Sequence, residues 1–173
     1  KNCIILLLDE KINKELLTKL INNYKPEFLF LPKNRTNSLN SFSLVFNFNE
    51  YDLIKAKIIT KKRIHKNLSL LISTSGSTGS SKLVRQSKTN IKSNIESICD
   101  YLSISKKDVT ITTLPMSYVY GLSIINTHLY QGATIVLNTK SIVEKDFWNL
   151  MQKHKVESYR HQLQFQKMIQ QEI

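Results

Sequence analysis

The sequence predicts an α/β fold, with a mostly parallel sheet and helices on its flanks. Short apolar runs of strand length alternate along the chain with amphipathic segments of about ten to fifteen residues, as in βαβ units. The composition is that of a globular protein, with 41% hydrophobic and 22% charged residues. A chain of 173 residues is long enough to bury a core. These observations exclude a fibrous or disordered chain.

The first part of the chain predicts three strands and one helix. Residues 3–8 and 27–31 are short apolar runs, typical of buried strands. Residues 11–23 place apolar side chains on one helical face, and a proline follows shortly afterwards, as it often does where a helix ends. Residues 42–48 alternate apolar and polar positions, which predicts a strand with one buried face. Residues 50–67 have the weakest pattern, and within them residues 51–59 fit either a helix or a strand.

The second part continues the alternation of strands and helices. Its strands are apolar runs, and its helices have apolar residues on one face. Ser141 and Glu144 have the spacing of a capping box that opens the last helix. The predicted strands are 68–72, 83–85, 109–114, 133–137 and 156–159, and the predicted helices are 89–102, 122–130 and 141 to about 154.

The net charge is strongly positive. Lys and Arg number 25 against 13 acidic residues, which gives +12 and a pI near 9.7. Such a surplus attracts polyanions in general and does not choose among nucleic acids, nucleotides and anionic lipids. The densest basic cluster, residues 61–66, has no aromatic side chains interleaved for stacking on bases. We interpret the charge as compositional bias on a solvated surface, so nucleic acid is not the expected partner.

Metal, disulfide and membrane classes have no support in the sequence. Cys3 and Cys99 lie far apart and belong to no CxxC pair, and the four histidines have no metal-ligand spacing. A cytoplasmic setting is therefore expected. No apolar run approaches the roughly 20 residues that cross a bilayer. Among the histidines, His128 is considered for a packing role or a place in a substrate pocket.

A loop rich in serine, threonine and glycine is the most informative segment. Average glycine usage would give about twelve glycines, whereas this chain has four. We expect such rare glycines where the backbone needs a positive φ or must closely approach another group. Two of them, Gly76 and Gly79, lie in one loop; of the nine residues 73–81, seven are Ser or Thr. The segment follows a predicted strand directly, which argues against a flexible linker.

The same loop has the chemistry of a phosphate cradle. Glycines let consecutive backbone N–H groups turn towards an anion, and hydroxyl groups donate further hydrogen bonds. Lys82 adds a positive charge at the end of the loop. The spacing excludes a Walker P-loop, because Ser81 stands where that motif needs glycine and Leu83 where it needs Ser or Thr.

Residues 73–82, STSGSTGSSK, resemble the signature loop of the adenylate-forming enzymes, which include acyl-CoA synthetases, nonribosomal-peptide adenylation domains and luciferases. That loop is commonly T-S-G-[ST]-T-G-x-P-K, and Ser81 replaces its proline. Residues 114–122, LPMSYVYGL, resemble the family's next motif, with Tyr118 where many members carry His or Phe. Residues 132–137 are similar to the strand that follows. The order and spacing of these blocks are more specific than any single block.

The resemblance implies AMP-forming chemistry. Family members join a carboxylic acid to ATP, release pyrophosphate and usually pass the acyl group to a thiol such as coenzyme A. It implies ATP and Mg²⁺ as cofactors, with coenzyme A as a further candidate, and a carboxylic acid as substrate. Tyr118 and Gly121 would help to form the wall of the acyl pocket. The residues that it assigns to the phosphates are Thr74, Ser75, Gly76, Ser77, Thr78, Gly79 and Lys82.

The resemblance covers most of the chain, but several family features are absent from the 173 residues. There is no Y-G-x-T-E block, no later ribose-binding Asp and no small C-terminal lid domain with its catalytic Lys, and the start also looks truncated. Residues 1–173 therefore resemble a partial adenylation domain in the large N-terminal domain of such an enzyme, with a subdivision into 1–67 and 68–173 left open. We assign no catalytic residue and no metal ligand.

Three functions stay open on the sequence. The first is a fragment of an AMP-forming acid ligase, inactive alone unless a separate chain supplies the remaining half. The second is a non-catalytic nucleotide- or partner-binding remnant of the same fold. The third is a basic nucleic-acid-binding module, which rests on charge and little else.

Overall fold

A computed structural model of the chain describes residues 3–60, 63–73 and 83–156. The described residues divide into two compact units, one made of 3–7, 67–73 and 83–156 and the other of 8–60 and 63–66. The strands are β1 (Ile5–Leu7), β2 (Phe28–Pro32), β3 (Phe42–Phe48), β4 (Tyr51–Ala56), β5 (Leu68–Ser73), β6 (Leu83–Ser87), β7 (Val109–Ile111) and β8 (Thr134–Val136). The helices are α1 (Lys14–Tyr24), α2 (Lys33–Thr36), α3 (Lys88–Tyr101), α4 (Val119–Gln131) and α5 (Lys145–Lys153).

The predicted α/β class is confirmed, but the strand pairing is mixed rather than mostly parallel. β1 pairs with β5 and β7 pairs with β8 in parallel. β5–β6, β2–β4 and β3–β4 are antiparallel. Parallel neighbours need a crossover of about a dozen residues or more, and the connections after β3 and β5 are shorter than that. The predicted strand at 156–159 lies almost entirely outside the described residues.

β5 is the central strand of its sheet, in the order β1-β5-β6. Its residues Leu70, Leu71 and Ile72 are buried, as the continuous apolar run predicts. The helix that follows β6 begins at a capping box, in which the Ser87 hydroxyl accepts a hydrogen bond from the Asn90 backbone N–H at 3.0 Å. The ladder and the cap together fix the positions of β6 and of the start of α3 relative to β5.

Two small apolar cores lie within this unit. One joins the end of α3 to the segment after it and contains Ile98, Cys99, Leu102 and Ile104. The other contains Ile111, Val136 and Phe147, from β7, β8 and α5. No helix among the described residues is long and apolar enough to cross a bilayer.

The last helix begins later than its sequence signal predicts. α5 starts at Lys145 instead of Ser141. The Glu144 carboxylate accepts a hydrogen bond from the Ser141 backbone N–H at 2.7 Å, which is half of a capping box. Residues 141–144 close a turn instead, with the Glu144 N–H donating to the Ser141 carbonyl oxygen at 2.9 Å.

The second unit contains an antiparallel sheet with strand order β2-β4-β3 and the helices α1 and α2. Leu31 and Ile54 are buried in it. The sequence predicted that β3 would bury one face, and this is wrong, because six of its seven residues are exposed. β3 is an edge strand of the described sheet, and its register with β4 shifts between Leu44 and Phe46. Alternation indicates a strand but does not reveal whether anything covers it.

Polar side chains hold α2 and the sheet together in this unit. The Arg35 guanidinium donates to the backbone carbonyl oxygens of Glu10, at 2.9 Å, and of Ile12. The buried Asp52 carboxylate accepts a hydrogen bond from the Thr36 hydroxyl at 3.1 Å and another from the Asn47 side-chain amide. A buried carboxylate is stabilised only when such donors surround it.

We expect Asp52→Ala to destabilise the fold by about 1–3 kcal/mol, because the change removes the charged acceptor of the Asn47 amide and one of two acceptors of the Thr36 hydroxyl. The Thr36 hydroxyl also reaches the Lys33 carbonyl oxygen at 2.8 Å. Urea unfolding followed by circular dichroism measures the loss. Glu27→Ala is the matched control, since it removes the same charge from an exposed position in the same unit. Equal losses in the two variants would show that the buried hydrogen bonds of Asp52 do not stabilise the fold.

Candidate functional site

The described residues define the two ends of the Ser/Thr/Gly loop. Ser73, the last residue of β5, is the register partner of Leu83, the first residue of β6. The intervening chain, residues 74–82, therefore leaves and re-enters the sheet at one rung of an antiparallel ladder. The predicted phosphate-binding residues Thr74, Ser75, Gly76, Ser77, Thr78, Gly79 and Lys82 lie outside the described residues, so their role stays a prediction.

The loop leaves the carboxyl end of a strand that has a parallel neighbour, β1. In open α/β sheets, ligands bind in the crevice outside the carboxyl ends of the strands. Ile72 is almost fully buried directly before the loop, with 1% of its surface exposed. The strand that leads into the loop is therefore held in place by its buried side chains and its two neighbouring strands. Binding loops commonly extend from a rigid scaffold of this kind.

The carboxyl ends of β7 and β8 are joined by Thr112 and Asn138. The Asn138 backbone N–H donates to the Thr112 hydroxyl at 2.8 Å, and the Asn138 side-chain amide donates to the Thr112 carbonyl oxygen at 3.3 Å. The same Asn138 side chain accepts from the Lys140 N–H at 2.8 Å. The sequence alone did not single out either residue, because Thr and Asn are ordinary loop residues and only the pairing of β7 with β8 brings them together.

The segment after β7 turns sharply into α4. The Tyr118 N–H donates to the Pro115 carbonyl oxygen at 3.1 Å, and the Leu122 N–H donates to the Tyr118 carbonyl oxygen at 2.9 Å. Tyr118 is the residue that precedes the helix, and its side chain forms no capping hydrogen bond. It is 43% exposed, and its apolar neighbours Leu114, Met116 and Val119 are exposed to a similar degree. This stretch therefore presents an apolar surface at the start of α4.

Gly121 lies in the first turn of α4, where the helix approaches the preceding segment most closely. A Cβ atom at this position would lie 2.3 Å from the Pro115 carbonyl oxygen and 2.7 Å from that of Leu114. Both obstacles are backbone atoms, so neither can rotate away. The structure thus places Tyr118 on the surface and Gly121 in a buried backbone contact that positions the segment carrying Tyr118.

Ser117 is a site feature that the sequence did not reveal. It is 4% exposed, and its hydroxyl has no hydrogen-bond partner among the described residues. A serine between Met116 and Tyr118 gives no sequence signal, since its burial results from the turn into α4. Its position beside Tyr118 makes it part of the candidate site.

His128 belongs to the buried face of α4. It is 2% exposed, and its Nδ1 lies 2.8 Å from the Ile124 carbonyl oxygen. A carbonyl oxygen only accepts, so Nδ1 carries the proton. The neighbouring Thr127 hydroxyl also bonds within the helix, to the Ser123 carbonyl oxygen at 2.8 Å. These contacts favour the packing role for His128.

A shallow cavity of about 370 Å³ lies where α3 and α4 end, away from Tyr118. Burial raises the pKa of the Cys99 thiol in its wall, so this thiol stays protonated at neutral pH and is no thiolate nucleophile. The Tyr130 hydroxyl donates to the Glu96 carboxylate at 2.9 Å, and this hydrogen bond together with the negative charge raises the pKa of Tyr130. Neither the thiol of Cys99 nor the hydroxyl of Tyr130 is therefore activated as a nucleophile.

Comparison with known proteins identifies the family. The family model described as "AMP-binding enzyme" matches residues 3–159, nearly the whole chain. The chain belongs to the AMP-binding enzyme family. An acyl-CoA ligase, gloD, from Glarea lozoyensis is 32% identical over 78 residues, which cover 43% of this chain and 14% of that protein.

A solved structure supports the same fold. O-succinylbenzoate coenzyme A synthetase (MenE) from Bacillus subtilis, in complex with ATP and magnesium, superposes with a TM-score of 0.61 at 18% identity. The match covers 87% of this chain and 41% of the MenE chain. The described part of this AMP-binding family member therefore has the fold of a portion of MenE, and the chain spans less than half the length of either relative.

We expect Gly121→Ala to destabilise the protein by about 1–3 kcal/mol, because its methyl group must displace backbone carbonyl groups. In an unobstructed helix the same change stabilises by up to about 1 kcal/mol, so the sign of the effect is diagnostic. Thermal unfolding measures it.

Gly132→Asn is the matched control. Gly132 has φ +69° with open space around its Cα, a conformation that strains most side chains and asparagine least, so we expect a smaller loss than in Gly121→Ala. Stabilisation by Gly121→Ala would contradict the close approach of α4 to Pro115.

Proposed function

We propose that this chain carries the ATP phosphate-binding part of an AMP-forming acid ligase. In that reaction a carboxylate oxygen of the acid attacks the α-phosphorus of ATP, an acyl-adenylate forms, and the bond to the pyrophosphate oxygen breaks. The sulfur of a thiol, either coenzyme A or a carrier, then attacks the acyl carbon, the bond between that carbon and the phosphate oxygen breaks, and AMP leaves. The observation that carries the proposal is the family match over residues 3–159, which includes both the Ser/Thr/Gly loop and the segment that opens α4.

The frame of the loop supports its assignment to the phosphates. Ser73 and Leu83 are paired, so the nine residues between them form a closed connection at the carboxyl end of β5. In this proposal backbone N–H groups and hydroxyls of residues 74–81 bind the β- and γ-phosphate oxygens, and Lys82 balances the charge on the departing pyrophosphate. Mg²⁺ bound together with ATP would supply further neutralisation of the phosphate charge, and we assign no residue of this chain to the metal.

The exposed apolar residues at the start of α4 support the proposal that the acid substrate binds there. The side chain of Tyr118 and the exposed apolar side chains of Leu114, Met116 and Val119 would form one wall of the acyl pocket. Gly121 contributes through its backbone contact with Pro115, which sets the position of Tyr118. An apolar wall of this kind binds the hydrocarbon part of an acid and leaves the carboxylate to the phosphate side of the site.

We further propose that the 173-residue chain binds ATP without turning it over. The sequence contains the Ser/Thr/Gly loop that we assign to the phosphates but no Y-G-x-T-E block. Nucleotide affinity normally results from several groups that bind together. Acid-dependent exchange of labelled pyrophosphate into ATP tests this point. Exchange above background would show that the chain alone catalyses adenylation. ATP binding without exchange would favour a nucleotide-binding chain that is not catalytic.

We expect Lys82→Ala combined with Gly76→Val to weaken MgATP binding by about tenfold or more, because the first change removes a charge-assisted contact and the second fills the loop with a side chain. Isothermal titration calorimetry measures the dissociation constant. Lys107→Ala, which removes an exposed lysine from a different loop, is the control for net charge. Unchanged affinity in the double variant, or an equal loss in the control, would contradict the phosphate-loop assignment.

A further inference from the structure

One face of the antiparallel sheet β2-β4-β3 carries a group of aromatic side chains. Leu53 of β4 is the register partner of Phe30 on one side and of Phe46 on the other, and Tyr51 is the partner of Phe48. Both phenylalanines of β3 follow its register shift. Residues paired across strands share a face, as do residues two apart on one strand. The aromatic face defined in this way consists of Phe28, Phe30, Phe46, Phe48 and Tyr51.

The aromatic face is open to solvent, whereas side chains on the opposite face of the same sheet are buried. Leu31 and Ile54 alternate with the aromatic residues along β2 and β4, and both are buried. The four phenylalanines of the aromatic face are 45%, 52%, 58% and 57% exposed, in chain order. A contiguous exposed apolar patch of this kind is typical of an interaction site.

The rings have the spacing of a stacking platform. The ring centroids of Phe30 and Tyr51 lie 5.2 Å apart, with 24° between the ring planes. Residues two apart on one strand are separated by about 7 Å, and β2 and β3, on either side of β4, by about 10 Å. Several flat ligand groups can therefore contact the aromatic face at once.

Positive charge accompanies the aromatic face. Lys55 is the register partner of Phe28, and its Nζ lies 5.5 Å from the centroid of the Phe28 ring. Among the described residues of β2, β3 and β4, none that points to this face is acidic. Residues 8–66, which contain the sheet, include twelve Lys and Arg against six Asp and Glu. The aromatic face therefore complements a ligand that is both flat and negatively charged.

Single-stranded nucleic acid combines these two properties, because its bases stack on aromatic rings and its phosphates attract cations. A second copy of the chain would bring its own Lys55 and its net charge of +12 to the same face. An anionic membrane would meet the charge, but aliphatic side chains would serve it as well as rings. The grouping of the rings does not show in the sequence, because three strands contribute them and none lies in the basic cluster at 61–66.

We propose that the aromatic face binds single-stranded nucleic acid. Bases stack on the exposed rings, among them Phe30 and Phe46, and the ammonium group of Lys55 contacts a backbone phosphate. Every base has a flat face, so this mode of binding tolerates any base sequence. The inference concerns a sheet that the ligase proposal does not use, and it stands or falls independently of that proposal.

Fluorescence anisotropy of fluorescein-labelled oligouridylate, titrated with the 173-residue chain, tests the stacking. We expect Phe46→Leu to raise the dissociation constant about fivefold or more, because leucine keeps an apolar contact but has no ring face. Phe46→Tyr keeps the ring and should retain the affinity. Tyr101→Leu is the matched control, since it removes an exposed ring from the other unit. Circular dichroism verifies that each variant is folded.

The salt dependence of the same titration tests the phosphate contact. Each phosphate neutralised on a single strand contributes about 0.7 to the slope of log affinity against log salt concentration. Lys55→Ala should therefore reduce that slope by about 0.7. Lys107→Ala, which removes an exposed lysine from the other unit, should leave the slope unchanged. Excess MgATP should not displace the oligouridylate, which separates the aromatic face from the phosphate-binding loop proposed above.

Several results would overturn the proposal. They are the absence of oligouridylate binding at low salt, full affinity in Phe46→Leu, an equal loss in Tyr101→Leu, and displacement by MgATP. Inorganic polyphosphate has the charge but no bases, so an equal effect of Phe46→Leu on its binding would exclude stacking. Binding of phosphatidylserine vesicles, or self-association of the chain, that depends on Phe46 while oligouridylate binding does not would assign the face to a membrane or to a second copy.

Discussion

The hydrogen bonds of β5 to its two neighbouring strands fix the two ends of the Ser/Thr/Gly loop. β5 is hydrogen-bonded to β1 on one side and to β6 on the other, so a change in its register would break two ladders at once. Its three central side chains, Leu70–Ile72, are buried and resist the same movement. Ser73 and Leu83 consequently hold the Ser/Thr/Gly loop at both ends. A segment whose two ends are fixed has fewer conformations than one with free ends.

The start of α4 is positioned by a different physical device. Here the constraint is a backbone contact, because only glycine lets the first turn of the helix reach the carbonyl oxygens of Leu114 and Pro115. At the other end of the same helix, Gly132 supplies the positive φ that ends it. The scarce glycines of this sequence were expected at close approaches and at positive φ, and these two described glycines confirm that expectation. The helix that follows Tyr118 thus has one glycine in its first turn and another at its C-terminal cap.

Local sequence signals predicted the helices and strands around the site well, but they did not predict how the strands pair. The apolar run of β5, the periodicity of α3 and α4, and the strand after residue 82 are all confirmed. The antiparallel direction of β6 was missed, although nine connecting residues are too few for a parallel crossover. Ser117, Asn138 and Asp52 could not be found, because their roles depend on partners that tertiary structure brings near. The members of the Ser/Thr/Gly loop lie outside the described residues, so that part of the site rests on motif chemistry.

β3 and β5 show how position in a sheet decides what a sequence does. Both strands are apolar and free of charged residues. β5 has partners on two sides and buries its side chains, which makes it a scaffold for the loop that follows. β3 has one partner in the described sheet, so similar side chains remain in water at a cost of about 25 cal/mol for each Å² of apolar surface.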